Sequence, residues 1–165
     1  MVGKHRRFTL SPSRAMSWIT PTTTALITEG KLMAAEYDRL STVQLADGST
    51  AEDVLDLTKA RVIASMRGYI GVKCSGRMGE PGTLPDELYD AFLSLWVVQF
   101  LGRLGAAGKP FISDTRRADA EAATKLLERV ANGTFALSLP AEISTETPTT
   151  GNAGAELIPA PRRPL

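Results

Sequence analysis

Cysteine is almost missing from this chain: Cys74 stands alone among 165 residues. That excludes an intramolecular disulfide framework and any zinc site built from several thiolates. Histidine is equally scarce. His5 cannot make a metal site by itself, and no second histidine offers Cys74 a general base. An excess of basic charge is missing too, since the net charge is +1, which argues against a general nucleic-acid binder. No apolar run is long and clean enough for a membrane span. The best, residues 84–104, is broken by Asp86, Glu87, Asp90, Gln99 and Arg103. The basic start runs into TLSPSR, not into an apolar stretch, so no signal peptide is expected and synthesis is expected in a reducing cytoplasm.

What is present is helical periodicity. The 43% hydrophobic content suffices for one core. The stretch Leu84–Leu104 organises the rest. Pro85, Asp86 and Glu87 read as a helix start, and Leu88, Phe92, Leu95, Trp96, Phe100 and Leu104 recur at spacings of mostly three and four. Val97, Val98 and Leu101 widen the apolar face until it is nearly continuous, the pattern of a buried helix. Upstream, Trp18 and Ile19 anchor a hook, with a short turn through Leu26 and Ile27. Thr28 reads as the N-cap of a helix over 29–40 that buries Leu32, Met33, Tyr37 and Leu40. Ser49 or Thr50 caps a helix over about 51–70, with Gly68 and Gly71 at its weak end and a Gly-rich loop from 71 to 82. Ser113 or Asp114 caps a helix over 114–131. Its expected buried stripe is Ala118, Ala122, Leu126, Leu127 and Val130, and Asn132-Gly133 stops it. Phe135, Leu137 and Leu139 alternate as a short extended segment. The expected fold is all-α, a small bundle of four to five helices around a long central one. A basic arm (1–15), a helical domain (16–140) and a Pro/Thr-rich tail (141–165) divide the chain, and both arms are expected to be flexible.

Motifs that carry chemistry are not found. Residues 71–78 have the glycine spacing of a phosphate-cradling loop. Arg77 and Met78, however, replace the lysine and the hydroxyl that the loop needs, and it follows a helix instead of a strand. Asp86, Glu87 and Asp90 lie near a helix start, and the helix dipole explains the first two without acid–base chemistry. No dinucleotide fingerprint, ligand spacing or paired catalytic group is visible, so no enzyme activity, cofactor or metal is expected.

Several segments, in order, resemble a family of small tailed-phage proteins of the Mu type. That family is treated as a domain of unknown function and is related to head–tail connector, or head-completion adaptor, proteins. The segments are Met16-Ser17-Trp18-Ile19-Thr20-Pro21, Arg67-Gly68-Tyr69-Ile70, Leu84-Pro85-Asp86-Glu87-Leu88, and Leu126 to Gly133 followed by Leu137 to Pro140. The resemblance covers about residues 16–140. It implies a non-catalytic helical virion subunit in the neck, at the head–tail interface. Such a subunit assembles as a ring, twelve copies matching portal symmetry, between portal protein and tail or neck protein, with DNA passing through without sequence-specific binding.

Interface residues expected on this reading are Arg6 and Arg7 of the arm, Arg116 and Arg117 at the start of the last helix, and the apolar strips Phe135, Leu137, Leu139 and Leu157-Ile158. The arginines would meet a partner's acids or phosphates; the strips would dock on a sheet edge or in a groove. The alternative is a small DNA-binding regulator reading DNA with the last helix. There Arg116, Arg117, Lys125 and Arg129 are interrupted by Asp119, Glu121 and Glu128, a poor face for phosphates. An enzyme using Cys74 is a third reading.

Overall fold

In a computed structural model, the described residues are 18–74 and 76–137. They form a mostly helical bundle: β1 (Trp18–Ile19), α1 (Ala25–Thr28), α2 (Ala34–Ser41), α3 (Ala51–Cys74), β2 (Leu84–Pro85), α4 (Tyr89–Arg103) and α5 (Asp114–Ala131). Single 3-10 turns at Asp86–Leu88 and Lys109–Phe111 precede α4 and α5.

The central helix is α4, packed against both α3 and α5, which also touch each other. Phe92, Trp96, Phe100 and Leu101 are fully buried along it. The Phe92 and Trp96 rings meet at a tilt, 5.2 Å between centroids and 33° between planes. Burying an indole N–H demands an acceptor. Trp96 Nε1 donates to the Leu55 carbonyl and to Thr58 Oγ1, both at 3.1 Å. The Thr58 hydroxyl donates onward to the Val54 carbonyl at 2.8 Å. One polar thread thus pins the register of α4 on α3.

Helix α4 starts later than the sequence pattern predicts. Leu84–Pro85 is extended (Pro85 φ −58, ψ 137) and pairs antiparallel with Trp18–Ile19. Pro85 is therefore not the first residue of the central helix. A partner strand 66 residues upstream, out of reach of local pattern, recruits it.

The N-terminal hook also differs. Thr28 is the last residue of α1, not the cap of a helix over 29–40. Gly30, at φ +69, breaks the chain there, and helix resumes at Ala34. Met33 closes the new start by donating its N–H to Glu36 Oε2 at 2.9 Å. Its side chain is 69% exposed and takes no part in the core, while Leu32 and Leu40 do.

Helix α3 begins as its cap predicts. Asp53 N–H donates to Thr50 Oγ1 at 3.2 Å, and Thr50 N–H returns to Asp53 Oδ2 at 2.8 Å. It runs on through Gly68 and Gly71 to Cys74, because Met66 and Ile70 are fully buried and their packing overrides two poor helix formers.

Helix α5 has the expected limits. Ser113 Oγ accepts from Arg116 N–H at 3.2 Å. At the other end, Gly133 N–H reaches the Val130 carbonyl at 3.0 Å and Thr134 N–H the Arg129 carbonyl at 2.9 Å, a glycine-closed Schellman end. The buried stripe is Ala123, Leu127 and Val130; Ala118 and Ala122 are exposed, a rotation of the expected face. Phe135 to Leu137 is not a strand. It folds back on the core, with the Arg129 guanidinium 5.8 Å from the Phe135 ring centroid.

A second tie joins the hook to α5. The Arg116 guanidinium donates to Glu36 Oε2 (2.7 Å) and Oε1 (3.2 Å), and to the carbonyls of Lys31 (2.8 Å) and Phe111 (2.6 Å). Lys31 in turn bridges to Asp90 on α4 at 2.7 Å. Burial raises the Glu36 pKa, but the Arg116 hydrogen bonds, the Met33 N–H and the Arg116 charge outweigh it, leaving the carboxyl below its usual 4.5. A carboxyl depressed on folding adds stability above its unfolded pKa, and that stability is lost as pH falls through the folded one. Denaturant midpoints of wild type and Glu36→Gln should therefore differ at neutral pH and converge as pH falls below 4.5 and through the lowered folded-state pKa.

Candidate interaction surface

Helix α3 turns one face to the core and leaves the opposite one open. Positions 57, 61, 64, 68 and 72 follow one another at three- and four-residue steps, so Leu57, Arg61, Ala64, Gly68 and Val72 share that outer face. All five are exposed. Leu57 is 46% and Val72 66% exposed, two of the three exposed large hydrophobics among the described residues. Arg61 is the one charge in this set. A Cβ added at Gly68 would meet nothing within 4 Å. The result is a low-charge, small-residue helix face that no described element covers.

Along one flank of this face lies a groove of about 580 Å³. Ala60, Ile63 and Ala64 of α3 form its floor, and Pro21 with Pro81 and Gly82 form its walls. Both walls are tied to α3 by polar contacts. Thr23 Oγ1 donates to Asp56 Oδ1 at 3.0 Å, and Lys59 Nζ reaches both (2.8 and 2.9 Å), fixing the Pro21 wall. The Pro81 wall is held by Arg67, whose Nη1 donates to the carbonyls of Glu80 (2.9 Å) and Thr83 (2.8 Å) and whose Nη2 donates to that of Gly79 (2.9 Å). The same guanidinium sits 5.5 Å from the centroid of the Trp18 ring. Position 79 must be glycine because the Trp18 ring occupies the space a Cβ would take. Trp18 Nε1 is buried and has no hydrogen-bond partner among the described residues.

A second, more polar groove of about 360 Å³ lies between α4 and α5, lined by Lys31, Asp90, Ser94, Asp119 and Leu126. Its lysine is engaged by Asp90 and by Ser94 Oγ (3.3 Å). Among the described residues, no group of three His, Cys, Asp or Glu side chains is placed to hold a metal, and no helix is long and apolar enough to cross a membrane. Cys74 is half-buried at the end of α3.

The interface residues expected from sequence are scattered. Arg6, Arg7, Leu139, Leu157 and Ile158 lie outside the described residues. Arg116 is spent internally on Glu36 and two carbonyls, with its side chain 18% exposed, whereas its neighbour Arg117 is exposed. Phe135 and Leu137 are half-buried against the core. The open face of α3 was not anticipated. Its signal, small residues and aliphatics at helical spacing on the side away from Val62 and Met66, was present in the sequence. Arg67, which helical spacing puts mainly off the apolar stripe of its helix, is the clamp of the groove. Searches against protein families, curated proteins and solved structures find no match for this chain.

If the face is open as described, Leu57→Ser and Val72→Ser should each change folding stability by less than about 0.5 kcal/mol. Leu55→Ala, on the buried side of the same helix, should cost about 2–5 kcal/mol. Urea titration of the three variants checks both expectations.

Proposed function

We propose that this chain is a structural head–tail connector of a tailed phage, assembling as a ring between the portal and the tail or neck without catalysing a reaction. The observation that carries the reading is the ordered resemblance of segments across residues 16–140 to the connector-related phage family. The fold supports it in two ways. The subunit is a mostly helical bundle, and its longest helix keeps a low-charge outer face with Leu57 and Val72 exposed, the kind of surface that a packing neighbour buries. A ring contact is heterologous, so the two sides of a subunit must differ. Here the small-residue face of α3 and the charged outer face of α5, with Arg117, Glu121, Lys125 and Glu128 exposed, differ in that sense. On this reading the partners are further copies, twelve by portal symmetry, the portal protein, a neck or tail protein, and DNA passing through unread. The protein resides in the virion neck after synthesis in the host cytoplasm.

Light scattering behind size exclusion, on the chain alone and mixed with the portal protein of the same phage, tests this reading. A small species that joins the portal as a ring-sized complex is the expected result. A chain that ignores the portal and instead retards a DNA fragment overturns the connector and favours the regulator.

A further inference from the structure

We propose that the groove between Pro21, Pro81 and the Ala60–Ala64 floor of α3 is the docking site of the chain's own C-terminal strip, Glu156-Leu157-Ile158-Pro159. This inference does not depend on the connector reading. The strip lies outside the described residues, and three observations select it as occupant.

The first is reach. Helix α5 ends beside α3, with the Cβ position of Gly133 3.8 Å from Lys73 Cε. Nine residues of helical rise separate Lys73 from Ala64, about 14 Å. The segment from residue 138 to the strip is 18 residues, rich in Thr, Ala, Pro, Gly and Ser, and a coil of that length has an r.m.s. span of about 23 Å. A tether of that length over that distance gives an effective concentration in the millimolar range, which favours capture by the same chain.

The second is charge. The groove and its adjoining residues hold Lys59, Arg61 and Arg67 against Asp56 and Glu80. Residues 138–165 carry Glu142, Glu146 and Glu156 against Arg162 and Arg163, a net of −1. The other end of the chain, residues 1–15, carries Lys4, Arg6, Arg7 and Arg14 and no acid, so it is repelled where the tail is attracted.

The third is shape. Leu157-Ile158 is the one pair of adjacent large aliphatics in residues 141–165. Pro159 restricts the backbone of Ile158, the residue before it, which lowers the ordering cost of docking. Four extended residues span about 13 Å, close to the roughly 10 Å from Ala60 to Arg67 along α3.

The test uses the full-length chain in a Cys74→Ser background, with a nitroxide on Gly68→Cys, an exposed position outside the groove lining. In isotope-labelled protein, the amide signals of Glu156, Leu157 and Ile158 should be broadened more than those of residues 147–150, although the latter are nearer the tether. Ala60→Glu with Ala64→Glu, both at exposed positions, should abolish that excess, and so should Leu157→Asp with Ile158→Asp. Broadening that simply decays along the tail overturns the proposal. So does equal broadening when spin-labelled, isotope-free chains are mixed with isotope-labelled, spin-free ones, which would assign the groove to the tail of a second copy. Neither result bears on whether the chain joins a portal.

Discussion

The Arg67 guanidinium is the constraint on which the groove side of the molecule rests. Residues 76–83 form no regular element, so their carbonyls have no ladder to satisfy them. Arg67 supplies three of those carbonyls from one planar fork and lays its other surface beneath the Trp18 ring. The bonds to Thr83 and Gly79 are partly shielded from water and the one to Glu80 is exposed, so each is worth less than the roughly 1.5–3 kcal/mol of a fully buried bond with a charged donor. The strand pair that follows has two residues on each side, too short to be stable alone. The clamp holds Trp18 and the 79–83 loop against the same helix, which places the two short strands side by side. With it come the wall of the α3 groove and the late start of α4.

A similar device works on the opposite side. Arg116 gathers Glu36 and the carbonyls of Lys31 and Phe111, so the hook formed by α1 and α2 is stapled to α5. From the sequence, Arg116 reads as a surface charge that could meet a partner's acids. Instead it stabilises, as Arg67 does, a stretch of irregular backbone that the small helical core cannot hold by apolar contact. What remains open is the outer face of α3, where charge is nearly absent, and the mixed outer face of α5. The open face of α3 is the surface that the connector proposal assigns to a neighbouring copy.

Elements whose causes are local were legible in the sequence. Ser113 and Asn132-Gly133 delimit α5 to the residue, and Thr50 with Asp53 marks the start of α3. The buried face of α4 follows from Phe92, Trp96 and Phe100 alone. Elements with distant causes were not legible. Pro85 looks like a helix start until Trp18 and Ile19 arrive from 66 residues away, and Arg116 looks solvated until Glu36 does. In α5, alanines give no contrast between faces, so Ala118 and Ala122 were placed inward when Ala123 is the buried one. The candidate surface fell between these cases. The spacing of Leu57, Ala64, Gly68 and Val72 is plain, but an apolar residue on an amphipathic helix reads as an extension of the core unless the opposite side is known to be covered.

The central claim is that one side chain holds the loop, the strand pair and the groove wall together. Amide hydrogen exchange on Arg67→Met tests it most directly, since methionine keeps much of the aliphatic stem and removes the fork. The account predicts that the amides of Ile19, Thr83 and Leu84 lose protection while those of α4 and α5 keep theirs. Unchanged protection at all three positions would contradict it.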